Sequence, residues 1–438
     1  VGTAQQSPVL DNADEAYEVV ERLRPGGTCE LYVVDAVRGP YKGRRCVLKT
    51  LRSEHRDDAE FFKMLVSEGA ILARLDHPNV VRLYGTSNLG GYPWLVIEYV
   101  PGISLATVLD RGRTLGEALP APVAYSIWLQ LLEALGYIHG ARDEQGRALE
   151  LRHRDVNPGN LIITWDGQAK LLDFGISQWL HDSEAAPEGL VKGTPGYLSP
   201  EQVLGGAFTS KGDIFSAGVV ALMLLSGQPS PFLRDTVNQS LRATLHNQRP
   251  SVQQLLPALP TGLSRMLEAS LATDLDKRPS ASGLAMQLLS ALEQSGTGLA
   301  SRQEVQALLR RWHPERAAAC QEVDLLSEPS GSVDLMLTEE LMDLDLPAFP
   351  EPVFRAGAQL PQATSPQEGL PGPDRRSMLA VMGSVQRIVD YGVNALRAQD
   401  YAKAYEAFEL AQGLDPSHRQ VQVNLRRLRA LGYRSGPT

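Results

Sequence analysis

The hydrophobic period of this chain changes once, at Pro101-Gly102, and that change restricts the folds open to it. From Tyr17 to about Tyr99, short β-branched runs recur at Val19-Val20, Leu31 to Val34, Cys46 to Leu48, Val80 to Leu83 and Leu95 to Ile97. One helical segment, Ala59 to Leu75, interrupts them. The pattern predicts a small, mostly antiparallel sheet carrying one main helix. From Gly102 to about Glu293 the apolar positions follow a helical period, as in Tyr125, Trp128, Leu129, Leu132 and Leu135, and predict a larger helical body. Pro-Gly punctuates the chain between the two. The expected architecture is α+β in two lobes: a tail over 1–12, then a domain over 13–293 with lobes 13–99 and 102–293.

At 438 residues the chain exceeds one core and suffices for two or three domains. A formal net charge of -9 gives no electrostatic reason to expect nucleic acid as a partner. Cys29, Cys46 and Cys320 are odd in number and far apart, which fits reduced thiols in a cytoplasmic protein. The longest apolar run, Ala217 to Leu225, is well short of the ~20 residues a membrane span needs, and the first residues lack a leader pattern.

Beyond Glu293, Ser301-Arg302-Gln303-Glu304 is a capping-box pattern opening an amphipathic helix through Val305, Leu308 and Leu309, within a helical extension over 294–326. Residues 327–376, rich in Pro, Gly, Ser and acidic side chains, read as a flexible linker. Within it, Val333 to Leu346 alternates acidic and apolar residues and is either solvated or a docking segment. Over 377–433 helix returns, with Gly392, Ala395, Tyr401, Ala404, Phe408, Ala411 and Pro416 in register and a last helix through Val421, Leu425 and Leu428. This resembles one tetratricopeptide repeat with a capping helix, an ordinary helical hairpin being the alternative. A lone unit cannot bury its apolar face, so partner binding or self-association is expected of it.

The residues with chemical potential lie in His153-Arg154-Asp155-Val156-Asn157-Pro158-Gly159-Asn160 and in Asp173-Phe174-Gly175. A carboxylate, an amide and a second carboxylate at this spacing suit a hydroxyl nucleophile and a metal ion arranged around a nucleotide phosphate. Upstream, Lys49 follows a β-branched run and Glu68 lies on the next helix, nine residues before His77-Pro78-Asn79. Taken singly, Lys49 and Glu68 read as solvated surface charges, and Asp155, Asn160 and Asp173 as turn formers.

Taken together, and in this order, the motifs of Tyr17 to Glu293 resemble a eukaryotic-type protein kinase domain of the kind also found in bacteria. The resemblance implies a bilobal kinase fold, ATP and Mg²⁺ as cofactors, and protein substrates with Ser or Thr acceptors. It implies Asp155 as the base that orients the acceptor hydroxyl, Asn160 and Asp173 as Mg²⁺ ligands, and Lys49, held by Glu68, on the α- and β-phosphates. Glu98 to Val100 would offer backbone groups to adenine, with Ile97 at the gate of the rear pocket. Glu201 would pair with Arg278, and Asp213 would brace the catalytic loop. Thr194, in Gly193 to Glu201, points to Ser or Thr as acceptor; Arg154 would answer an anion on the segment Ile176 to Lys192, where Ser183 is the plainest site.

Two departures qualify that picture. In the glycine-rich loop Arg24 and Cys29 stand at the outer glycine positions, leaving Gly26, with Gly27 beside it, to approach the phosphates. Asn157 stands where most of the family carries Lys and keeps a donor without the charge. A slow but real kinase is expected; a catalytically weak or inactive scaffold is the alternative, and a small-molecule phosphotransferase a third reading that the segment Gly193 to Glu201 and Arg278 disfavour.

Overall fold

The computed structural model describes residues 9–23, 28–143, 145–173, 193–206 and 208–321, and, near the C-terminus, 389, 392–393, 395–396, 401–414 and 418–430. Expectations for Arg24, Gly26, Gly27, Phe174, Gly175, Ser183 and the linker over 327–376 lie outside these residues. The chain divides into two compact units, Val1–Leu341 and Met342–Thr438.

In the first unit, six antiparallel strands form one sheet in the order β1-β2-β3-β4-β6-β5: β1 Val9–Asp11, β2 Ala16–Arg22, β3 Cys29–Arg38, β4 Arg45–Leu51, β5 Leu83–Leu89 and β6 Tyr92–Glu98. Tyr17, Val34, Cys46, Leu48, Trp94 and Val96 cover one face. Burial pushes the Cys46 thiol up to about 12, so it behaves as a small apolar side chain. On the other face packs α1, Ala59–Leu72, whose first turn is capped by Asp58 accepting from the Glu60 and Phe61 amides. Two expectations need correction. Val9–Asp11, assigned to the tail over 1–12, pairs with Ala16–Glu18 as an edge strand. Val80 to Leu83 is not a full strand: β5 begins at Leu83, and Val80 makes only an isolated parallel bridge to Leu171.

Helices dominate the second lobe: α2 Leu105–Leu115, α3 Ala121–Gly140, α4 Pro200–Val203, α5 Ser210–Ser226, α6 Val237–Leu245, α7 Val252–Leu255, α8 Thr261–Ser270 and α9 Ala281–Ser295. α5 is buried on nearly all sides, which explains its run of apolar residues. A second sheet, which the helical period after Gly102 concealed, joins β7 Gly102–Ser104, β8 Leu161–Thr164 and β9 Ala169–Leu171. Its strands are three or four residues long, too short for any period to show. The extension contributes α10, Arg302–Trp312, with the expected Ser301/Glu304 capping box, and α11, Pro314–Gln321.

In the second unit, helices Tyr401–Leu414 and Arg419–Ala430 pack through Ala404, Phe408, Ala411, Val421, Leu425 and Leu428, all buried. A Cβ at Gly392 would lie 2.9 Å from the Phe408 ring, so the glycine admits the aromatic side chain.

Candidate active site

Lys49 and Glu68 are brought together by the periods of their own elements. β4 is central, with Lys49 opposite Leu31 on one side and Leu95 on the other. On α1, Glu68 shares a buried stripe with Leu65, Ile71 and Leu72, which turns its carboxylate inward. Lys49 Nζ lies 2.7 Å from Glu68 Oε1 and 2.7 Å from Asp173 Oδ1. Burial disfavours the ammonium, but the Asp173 and Glu68 carboxylates prevail and hold its pKa above the ordinary lysine value. Burial pushes the Glu68 carboxyl up to about 6, with the ammonium opposing the rise. Desolvation alone would raise the Asp173 carboxyl, yet Lys49 holds it below its usual range. Its side chain remains 41% exposed.

The turn that carries Asp155 is fixed by its own amides. Asn160 Nδ2 donates to Asp155 Oδ2 at 2.8 Å and to the Asp155 carbonyl at 2.9 Å. Thr194 Oγ1 donates to Asp155 Oδ1 at 2.9 Å. Asn157 caps the short turn Pro158–Asn160: its Oδ1 accepts from the Gly159 and Asn160 amides, while its Nδ2 reaches the Asp155 carbonyl and, at 3.3 Å, Thr194 Oγ1. The side chain expected to donate toward a phosphate is thus committed to the loop itself.

Hairpin β8–β9 joins the two residues expected to bind metal. Asn160 precedes β8, Asp173 follows β9, and the Leu172 amide donates to the Asn160 carbonyl at 2.8 Å. With Nδ2 on Asp155, Asn160 keeps its Oδ1 as an acceptor, and Asp173 keeps a second carboxylate oxygen beside the one on Lys49. Among the described residues no group of three or more His, Cys, Asp or Glu could hold a metal ion. One carboxylate and one amide oxygen instead fit a hard cation that arrives with phosphate oxygens and keeps water, which is how Mg²⁺ is commonly held. Asp173 has φ 39° and Arg154 φ 70°, left-handed backbone that non-glycine residues adopt at a cost of about 1 kcal/mol or more and that clusters at functional sites.

A buried frame supports this centre. Asp213 Oδ1 and Oδ2 accept the Arg154 and His153 backbone amides at 2.8 and 2.9 Å, and His139 Nε2 lies 2.7 Å from Oδ2. Burial would raise the Asp213 carboxyl, but His139 and these contacts hold it below its usual range. Arg278 meets Glu201 with two bonds, 2.8 and 2.9 Å, and also donates to the Ala272 and Lys211 carbonyls. Arg154 is buried with its guanidinium 5.5 Å from the Phe208 ring centroid.

Glu98 and Val100 lie where β6 passes towards β7, with the Glu98 amide on the Arg82 carbonyl and its carboxylate 2.8 Å from Lys170 Nζ. Val100 and Ile97 are buried beside them. Two contributors escaped the sequence reading. Asn79 ties the lobes by donating to the Ala169 carbonyl and accepting the Leu171 amide; His77-Pro78-Asn79 signalled it but served only as a landmark. His153 Nε2 lies 2.6 Å from the Leu172 carbonyl, next to Asp173.

The model of the protein kinase domain matches residues 21–290. Over 285 residues, 64% of this chain and 44% of the relative, the chain is 30% identical to the tyrosine-protein kinase MasK of Myxococcus xanthus. It is 28% identical to the serine/threonine-protein kinase PrkC of Bacillus subtilis over 258 residues, 59% of this chain and 37% of the relative. With the serine/threonine-protein kinase PknA of Mycobacterium tuberculosis it shares 34% over 241 residues, 52% of this chain and 51% of the relative. The chain belongs to the protein kinase family, whose members use ATP and a divalent metal to modify proteins. It spans about half the length, or less, of these three relatives. No helix among the described residues is long and apolar enough to cross a membrane.

Proposed function

We propose that this protein transfers the γ-phosphoryl group of ATP to Ser and Thr hydroxyls of protein substrates, with Mg²⁺ as the metal. The observation that carries the reading is the convergence of Lys49, Glu68 and Asp173 within 2.7 Å contacts, together with Asp155 held by Asn160 and Thr194. Asp155 takes the acceptor proton as the hydroxyl attacks in line; Asn160 and Asp173 hold the metal; Lys49 fixes the nonreacting phosphates, and Glu68 positions Lys49. Mg²⁺, when bound, offsets the charge that develops on the transferring group. Gly26 and Gly27 would approach the phosphates, Glu98 and Val100 the adenine, and an anion at Ser183 would tune the loop beside Arg154.

Ser and Thr are preferred over Tyr because Thr194 closes on the catalytic carboxylate, and because PrkC and PknA bear that specificity in their names. MasK is named a tyrosine kinase, so the acceptor is a matter for direct measurement. Incubation with labelled ATP, Mg²⁺ and a general protein substrate, followed by acid hydrolysis, tests it. Phosphoserine or phosphothreonine is expected; phosphotyrosine alone contradicts the acceptor, and no transfer leaves the scaffold reading.

The helices after Tyr401 support a tetratricopeptide-like module, since Gly392 admits Phe408 between helices as that repeat requires. It would bind a protein partner or a second copy, in a cytoplasmic setting. Size measurement of the full chain with and without Phe408→Asp separates self-association from partner binding.

A further inference from the structure

The matched kinase domain ends at 290, yet the buried core of the first unit continues past it. Val305, Leu309 and Trp312 are as buried as the centre of α3, and belong to the same apolar cluster. Contacts at three places fasten this stretch. The Ala300 amide donates to the Pro122 carbonyl at 3.1 Å, and Ser126 Oγ donates to the Ala300 carbonyl at 2.8 Å. Trp312 stacks on α2, where a Cβ at Gly112 would lie 3.0 Å from its ring; its Nε1 donates to Glu117 at 3.2 Å, and its carbonyl accepts from Arg111 at 2.8 Å. At the other end, the first turn of α10 lies on the β8–β9 turn so closely that a Cβ at Gly167 would overlap the Arg302 carbonyl oxygen.

That turn is the closed end of the hairpin whose open end presents Asn160 and Asp173. Its Trp165 amide is also bonded to the Pro101 carbonyl at 3.1 Å, beside the adenine-facing segment. A displacement of the turn along the hairpin is passed to both metal ligands, because the strands are joined by ladder bonds from Leu161/Leu171 to Ile163/Ala169.

We propose that residues 297–313 are a strap that positions the metal-binding pair: by pinning the β8–β9 turn against α2 and α3, they hold Asn160 and Asp173 at the separation the cation needs. Trp312 and the Arg302 backbone are positioning elements, and neither touches nucleotide. The proposal rests on the assignment of Asn160 and Asp173 as the ligands of nucleotide-bound Mg²⁺.

Linkage supplies the test. If the strap favours the metal-competent hairpin, then metal and nucleotide binding must in return stabilise the strap. In the unaltered full chain, Mg²⁺ with ADP, compared with ADP alone, is expected to slow hydrogen exchange at amides 303–312. In Trp312→Ala, the Mg²⁺ concentration giving half of the ADP-dependent thermal stabilisation is expected to rise about three- to tenfold, below the ~10–100-fold of residues that hold a metal ligand directly. Trp312→Phe, which keeps a ring on Gly112, restores most of it. A lower melting temperature with unchanged Mg²⁺ dependence, or no added protection of 303–312 in the unaltered chain, overturns the strap. Absence of any Mg²⁺-ADP stabilisation in the unaltered chain overturns the metal assignment beneath it.

Discussion

Two charge networks lie in the same unit, and they differ in what they leave open. Behind the catalytic loop, the buried charges of Arg278 and Asp213 are each held by several bonds to protein, Arg278 by Glu201 and two carbonyls, Asp213 by His139 and two backbone amides. In the cleft, Lys49 is buried between two carboxylates, but Asp173 remains 41% exposed and Asn160 keeps an oxygen for a ligand. Closure makes a frame and residual capacity makes a site. Buried charge by itself marks neither, since Lys49 and Arg278 are both nearly inaccessible.

The comparison breaks most visibly if the two networks respond alike to substitution. Asp155→Ala should lower kcat by about 10³-fold, within the range of a positioned general base, with a melting temperature close to the parent's. Arg278→Ala should do the reverse in kind: leaving Glu201 buried without its partner costs about 3–5 kcal/mol, read as a fall in the denaturant midpoint with kcat per folded molecule retained. If Arg278→Ala left stability untouched, the frame would not be one.

Asn157→Lys sharpens the account of the cleft. The cap on Pro158–Asn160 is lost, about 1 kcal/mol of stability, while a charge returns next to Thr194. A rise in kcat approaching the ~10²-fold worth of a preorganised stabiliser is expected, alongside a lower melting temperature. No gain in kcat would mean that another group already neutralises the transferring phosphoryl.

The smallest effect concerns pH. Glu68 titrates near 6 in the folded protein, so the ionised Lys49–Glu68 pair is lost as pH falls through that value, and ATP affinity should drop up to about tenfold per unit below it. Stability moves oppositely for this group: a carboxyl raised above its unfolded value of 4.5 binds protons more tightly when folded, so its contribution improves between pH 6 and 4.5. Nucleotide titrations and denaturant midpoints from pH 7.5 to 4.5, with Glu68→Gln as a variant lacking the acid limb, check the two signs in turn.

The approach of Lys49 to Glu68 and Asp173, and of Asn160 to Asp155, was legible because these residues sit within short, ordered motifs. The frame followed in the same way, since Arg278 and Glu201 are fixed by motifs despite being 77 residues apart. Illegible were features made by tertiary contact alone. Nothing local marks Asn157 as a cap rather than a donor to phosphate, because both uses need only an amide. The β7–β8–β9 sheet was hidden by its brevity, and the edge strand Val9–Asp11 by lying within a polar tail whose pairing depends on Ala16–Glu18. The burial of Trp312 depends on Gly112, 200 residues earlier in the chain.

Calorimetric titration of ATP into the protein with and without Mg²⁺, repeated on Asp173→Asn, tests the central claim most directly. The account predicts that Mg²⁺ tightens ATP binding at least tenfold in the parent, and that this enhancement disappears in Asp173→Asn while metal-free binding persists. Equal ATP affinity with and without Mg²⁺ in the parent, or an enhancement that survives the loss of the Asp173 charge, would contradict it.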